Sequence, residues 1–222
     1  MIRLVNVSKQ YGNLELLKDF NISFERNKIT CLFGPSGVGK TTIANIVAGI
    51  VPVDKGCRDG IGNSLFSYVF QEPRLLKWYN VYDNIDFVLK DIYKPDKRVE
   101  IVDSYLKMVE LYEYKEYKID ELSGGMAQRV SLARAFAYPS DILIMDEPFK
   151  GFDFKLKNEM ISLFKRMWNL SQKTVIFITH DVEEAINLSH TIYILKNRPI
   201  SIINRLIVNN NKEEIKNFLF NL

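Results

Sequence analysis

The chain has 222 residues, 47% hydrophobic and 26% charged, with a net charge of +3. That composition suits one domain with a normal buried core and excludes a disordered chain. The basic residues are scattered rather than gathered in a stripe, so no nucleic-acid partner is expected, and Cys31 and Cys57 lie in no metal-ligand pattern and read as reduced thiols.

In chain order, the opening MIRLVNVSKQYG has no charged-then-apolar leader, so no secretory signal is expected. Lys28–Phe33 (KITCLF) is apolar and β-prone and ends at Gly34; a helical stretch, Thr41–Gly49, follows it. Thr41–Val53 is the longest uncharged candidate span. It is too short to cross a bilayer and contains Gly49 and Pro52, so the protein is expected to be soluble and to meet a membrane only through a partner. Ser64–Phe70 reads as a strand. Asp83–Lys90, Asp96–Glu110 and Ser123–Ala137 read as helices with no convincing strand between them. Strands return at Asp141–Met145, Thr174–Thr179 and Thr191–Leu195, with helices near Lys155–Leu170 and Asp181–Leu188 between them. Ile215, Phe218, Leu219 and Leu222 fall at helical spacing and predict a short amphipathic helix folded back on the core. The expected organisation is a single domain, 1–222. Its α/β core, residues 1–71 and 139–222, has a mainly parallel sheet and is interrupted by a helical insertion at 72–138.

Gly34-Pro35-Ser36-Gly37-Val38-Gly39-Lys40-Thr41 fits G-x-x-x-x-G-K-[ST] between a strand and a helix. Glycines let successive backbone N–H groups curl around phosphates, and the helix directs its positive end at them. Lys40 adds a mobile charge, the Thr41 hydroxyl can ligate Mg²⁺, and Thr42 closes the loop. A Gly-rich turn before a helix is the plain alternative, but the strand–loop–helix context is the one phosphate binding demands.

Asp141-Ile-Leu-Ile-Met-Asp146-Glu147-Pro148 is a buried strand ending in two carboxylates. Parallel sheets place such residues at the carboxyl edge, where ligands bind. Asp146 suits a Mg²⁺ shell and Glu147 a general base toward water.

Leu122-Ser123-Gly124-Gly125-Met126-Ala127-Gln128-Arg129 reads locally as a capped helix start. Ser123 can cap, and Gly124 and Gly125 expose N–H groups at the positive helix end, a second anion site. L-S-G-G-x-x-Q-R also resembles the signature of ATP-binding-cassette (ABC) ATPases. That resemblance covers residues 1 to about 200. It implies a P-loop NTPase core with a mainly parallel central sheet, an N-terminal antiparallel β portion and an inserted helical subdomain. It also implies ATP and Mg²⁺ as ligands and a head-to-tail pair of ATPases. In that pair Ser123, Gly124, Gly125 and Asp153 of one copy meet the ATP held by the other. Whether the second ATPase is the same chain or a paralogue is left open. By the same resemblance Tyr11 stacks on adenine, Gln71 contacts Mg²⁺ or water, and His180 contacts the γ-phosphate and orients Glu147. His190 fits no motif and reads as structural.

Val69-Phe-Gln-Glu-Pro-Arg-Leu-Leu-Lys-Trp78, then Val81 and Asn84-Ile85, is similar to a run in nitrate, sulfonate and taurine importer ATPases, whose relatives also carry pyrimidine or thiamine precursors. The resemblance implies transmembrane permease subunits as partners, a substrate-binding protein indirectly, and a place on the inner face of the cell membrane. Lys77, Trp78 and Tyr79 are the candidate permease contact; Tyr105–Tyr117 is expected to pack mainly within its own domain. Three departures stand out. Gln71 follows Lys40 closely, so the strands between them should be trimmed. Lys77 replaces a usual proline. The segment Phe149-Lys150-Gly151-Phe152-Asp153 replaces Ser-Ala-Leu-Asp. None touches Lys40, Asp146, Glu147 or His180, so hydrolysis is expected to survive.

Overall fold

The computed structural model describes residues 1–209 and 211–220. Packing divides the chain into two units. The first is Met1–Phe66, Asp141–Glu147 and Gln172–Leu222, and the second is Ser67–Ser140 with Pro148–Ser171.

The first unit carries two sheets. Strands β1 (Ile2–Tyr11), β2 (Leu14–Phe24) and β4 (Lys55–Asp59) form an antiparallel sheet in the order β2-β1-β4, with Tyr11 opposite Leu14 at the β1–β2 turn. β1 and β2 alternate buried and exposed positions, with Ile2, Leu4, Leu17 and Phe24 on the core side, as a half-solvated antiparallel sheet requires. The second sheet contains β3 (Ile29–Phe33), β6 (Ile142–Asp146), β7 (Thr174–Thr179), β8 (Thr191–Lys196) and β9 (Ser201–Ile207). Its strands run in the order β6-β7-β3-β8-β9, parallel except for the antiparallel edge strand β9. β3 and β7 are buried at every position, which is why their sequences read as unbroken apolar runs rather than alternating ones. Helix α1 (Lys40–Ala48) springs from the end of β3, and α6 (Val182–Leu188) from the end of β7. Gly49, at φ 79°, closes α1 by bonding its N–H back to the Ile46 carbonyl, a left-handed cap that suits glycine.

The short interval between Lys40 and Gln71 still holds β4 and the four-residue strand β5 (Phe66–Val69). Leu65, just before β5, accepts backbone hydrogen bonds from Asp141 and Ile142. The C-terminal helix α7 (Lys212–Phe220) buries Ile215 and Leu219 as expected. Phe218, however, is 41% exposed, because it falls on the outer side of this short helix; Leu222 lies outside the described residues.

The second unit is helical: α2 (Val81–Asp86), which runs into a 3₁₀ turn at Phe87–Leu89, then α3 (Pro95–Met108), α4 (Gly124–Ala137) and α5 (Phe154–Ser171). The sequence reading leaves α5 with the core. Packing instead places it here, because Phe164 meets the Phe136 ring of α4 edge-on at 5.9 Å and Leu156 lies against Gly125. A part-buried ion pair of 2.7 Å, Arg98 to Asp86, joins α3 to α2. Among the described residues no helix is long and apolar enough to cross a membrane.

Candidate functional site

The first unit gathers most of the expected site at the carboxyl ends of its parallel strands. β3 ends at Phe33, and the loop from Gly34 to Gly39 leads into α1. The backbone at Gly37 and Gly39 has φ of 75° and 113°, a region that glycine enters without the steric penalty other residues meet. Any side chain at Gly34 would collide with the Leu195 carbonyl of β8, so bulk is excluded there as well. Lys40 is 4% exposed, and its ammonium donates to the Gly34 and Pro35 carbonyls at 2.7 and 2.9 Å. The charge is thereby held inside the curl of the loop, at the positive end of α1.

β6 delivers the acids. Thr41 Oγ1 donates to Asp146 Oδ2 at 2.8 Å, placing a hydroxyl and a carboxylate oxygen side by side. These are hard oxygen donors of the kind Mg²⁺ prefers. Mg²⁺ is commonly held by one or two protein oxygens together with phosphates, which is the donor set this pair offers. The residues therefore fit Mg²⁺. Glu147 follows at φ 45°, a left-handed conformation strained for a non-glycine residue, and its N–H is anchored on the Ile178 carbonyl of β7. Its carboxylate is largely buried and meets His180 Nδ1 at 3.0 Å.

His180 is held from both sides. Thr179 Oγ1 donates to buried Glu184 Oε2 at 2.7 Å and accepts from the Asp181 N–H; Asp181 in turn caps α6 through the Glu184 N–H. The sequence reading did not single out Thr179 or Glu184. Their signal was the local spacing T-H-D-x-x-E, in which the residues flanking the histidine can close on each other over one helical turn. Tyr11, at the end of β1, is 47% exposed, with Lys9 Nζ over its ring 5.4 Å from the centroid. A cavity of about 640 Å³ touches Gly34, Pro35 and His180 but not Lys40, Thr41 or Asp146, so it is a recess beside the loop and not the cradle itself. His190 takes a hydrogen bond on Nδ1 from the Ile29 N–H at 3.1 Å, and burial lowers its pKa; it is a neutral structural side chain.

The remaining expected residues belong to the second unit. Ser123 caps α4, its Oγ accepting from the Met126 N–H at 3.3 Å, and Gly124 faces open space at the first helical position. Asp153 caps α5 through the Leu156 N–H, so the unusual Lys150-Gly151-Phe152 segment leaves that cap intact. Gln71 is exposed, two residues past the end of β5. Gln128, buried, donates to the carbonyls of Phe70 and Pro148 and so joins the segments before Gln71 and Asp153. The loop after Gln71 is braced as well. Asn84, fully buried, accepts from the Leu76 N–H and donates to the Leu76 carbonyl, while Arg134 donates to the carbonyls of Pro73 and Arg74. On that braced loop Trp78 is 71% exposed, and the Tyr79 ring lies between those of Trp78 and Phe87. In the Tyr-rich stretch Tyr105 packs inward, donating to the Phe136 carbonyl, whereas Tyr114 and Tyr117 stack edge-on to one another at the surface.

Comparison with known proteins follows the same outline. The ABC transporter family pattern matches residues 17–150. The taurine import ATP-binding protein TauB of Escherichia coli K12 is 36% identical over 217 residues, covering 94% of this chain and 85% of TauB. The spermidine/putrescine import ATP-binding protein PotA of Clostridium acetobutylicum is 39% identical over 208 residues, which cover 88% of this chain and 58% of PotA. Among solved structures, the dimeric bacterial ABC transporter cassette MJ0796 superposes with a TM-score of 0.81 at 28% identity, covering 95% of this chain and 100% of that one. A dimeric post-hydrolysis form of MJ0796 bound to ADP and Pi gives 0.80 at 25% identity, with the same two coverages.

Proposed function

Because the chain belongs to the ABC transporter family, as an importer subunit that binds ATP and couples its hydrolysis to transport, we propose that it drives uptake of a small solute of the nitrate, sulfonate, taurine or pyrimidine-precursor kind. The observation that carries the cargo class is the run from Val69 to Trp78 with Val81, Asn84 and Ile85. Its middle lies in the loop between β5 and α2 that Asn84 and Arg134 brace at Leu76, Pro73 and Arg74. The chain works on the inner face of the membrane with permease subunits and a second ATPase, and a substrate-binding protein selects the cargo. Reconstituting it in vesicles with its permease and substrate-binding protein, and supplying radiolabelled taurine or another alkanesulfonate, nitrate, a pyrimidine precursor and spermidine, tests this. ATP-dependent entry of one of the first three is expected; entry of spermidine alone would overturn the cargo class.

In this reading adenine stacks on Tyr11, and the N–H groups of Gly34, Pro35-Ser36, Gly37, Val38, Gly39, Lys40, Thr41 and Thr42 line the phosphate side, proline supplying only its shape. Lys40 neutralises phosphate oxygens from inside the loop. Thr41 and Asp146 would hold Mg²⁺, with Gln71 assigned to it by the family resemblance, and the ion would supply charge neutralisation for the transferred phosphoryl group. Glu147 orients the attacking water and accepts its proton; His180, hydrogen-bonded to Glu147, keeps that carboxylate aimed. Ser123, Gly124, Gly125 and Asp153 act on the nucleotide of the second ATPase. Most of the acceleration comes from this positioning and charge neutralisation.

The exposed Trp78 is the proposed anchor for the permease. A well-seated interface tryptophan contributes about 2 kcal/mol or more, so Trp78→Ala should weaken permease association on the order of thirtyfold or more. ATP affinity of the isolated chain should stay within twofold. Co-purification with the permease, set beside nucleotide titration, reads both; an intact complex would remove Trp78 from the interface.

A further inference from the structure

The phosphate loop rests on the β8–β9 hairpin at three places. The Leu195 carbonyl lies against Gly34, the Ile200 side chain lies under Gly39 beside Leu16, and Arg198 at the hairpin tip donates from its guanidinium to the Gly37 carbonyl at 2.6 Å. The hairpin is itself fixed, since the Ile200 N–H bonds the Leu16 carbonyl and β8 pairs with both β3 and β9. Two of these contacts are backbone or apolar packing. The third is a cation on a surface residue, at the point where the loop has a left-handed glycine.

We propose that Arg198 is a positioning residue for the nucleotide. It pins the Gly37 carbonyl outward, on the side away from the phosphates, and brings a second positive charge to the loop that already holds Lys40. The physical reason is complementarity of direction: a loop that turns its N–H groups toward one anion must turn carbonyls elsewhere, and those carbonyls need donors. Lys40 serves Gly34 and Pro35 from within, and Arg198 serves Gly37 from outside. Glycine has more conformational freedom than any other residue, so an unpinned Gly37 would have to be ordered each time the nucleotide bound. Both the pin and the charge act equally on ground state and transition state, so they govern KM rather than kcat. This inference rests on reading Gly34–Thr42 as the phosphate cradle.

The test is steady-state ATP hydrolysis by the chain with its permease, with ATP titrated onto the isolated chain. Arg198→Ala should raise KM for ATP about tenfold with kcat within threefold. Arg198→Lys, which keeps a charged donor, should return KM to within threefold of the parent, and Arg198→Gln, a neutral donor, should fall between them. A KM unchanged in Arg198→Ala would overturn the proposal. So would equal loss of kcat in all three variants alongside a lowered melting temperature, since that would mark a purely structural hairpin contact. Should Arg198→Ala not fold, the ranking of Lys above Gln in ATP affinity decides. Lys40→Ala, run in parallel, separates the two claims. If it abolishes ATP binding while Arg198→Ala does nothing, the cradle stands and the positioning role fails; if Lys40→Ala binds ATP normally, the cradle itself is wrong.

Discussion

Glu147→Gln is expected to stop turnover while leaving ATP bound, and to leave the chain as a stable ATP-loaded dimer. Glutamine is nearly isosteric and can still meet His180 across the 3.0 Å contact, so the site should keep its shape. What it loses is a carboxylate able to take a proton from water, and removal of a general base typically slows such a step about 10²- to 10⁴-fold. The strained backbone at Glu147, φ 45° and tied to the Ile178 carbonyl, belongs to the main chain and survives the change. Phosphate release should therefore fall by at least a hundredfold, and gel filtration in ATP should show a dimer. A variant that remains monomeric in saturating ATP would count against the paired site; one that keeps turning over would remove Glu147 from the base role.

Gly124→Asp should do the reverse of a typical damaging mutation, raising stability while abolishing function. Gly124 is the first residue of α4 and an added Cβ meets nothing within 4 Å, so the fold accepts a side chain there. Replacing a helical glycine and placing an acid in the first turn each favour the helix, by about 0.5–1 kcal/mol together at a surface site. The same carboxylate would face the phosphate of the partner's nucleotide. At about 5 Å and an effective dielectric of about 20, each pair of like charges costs on the order of 3 kcal/mol, roughly a hundredfold in association. The melting temperature should hold or rise, ATP should bind the single chain as before, and ATP-driven dimerisation and turnover should be lost. Normal turnover in Gly124→Asp would place the α4 tip away from the nucleotide.

How much of this was visible in the sequence depended on whether chemistry was local. β3, β6 and β7 could be placed to within a residue or two because strands buried on both faces leave continuous apolar runs that stop at a polar residue or glycine, and α1 is the next element after β3. The pairing of Glu147 with His180 is implied by the family resemblance, and the two residues follow the neighbouring strands β6 and β7. Thr41 and Asp146 read separately as Mg²⁺ candidates, and they meet although β7 lies between the strands that lead to them, β3 and β6. The edges were harder. β4 has every position exposed and β9 has none buried, so neither gave a hydrophobic signal, and both exist because a neighbouring strand supplies their hydrogen bonds. α5 carries an amphipathic pattern that names a buried face but not its partner, and only packing against Phe136 assigned it to the helical unit. Arg198 was silent for a related reason: its partner is the backbone carbonyl of Gly37, far away in sequence, and such a contact leaves no residue type to read at the other end.

The central claim is that each nucleotide is held by the Lys40 loop of one copy and the Ser123–Gly125 helix tip of another. Mixed dimers test it directly. In a Glu147→Gln background, one copy carries Lys40→Ala and the other Gly124→Asp, each distinctly tagged, and trapped ATP per purified mixed dimer is counted. Shared sites predict one ATP trapped per mixed dimer, because one loop and one helix tip, on opposite copies, remain intact and face each other. Neither parent variant should trap any alone. Sites contained within a single copy would leave no intact pair in the mixture, and a count of zero in well-formed mixed dimers would contradict the account.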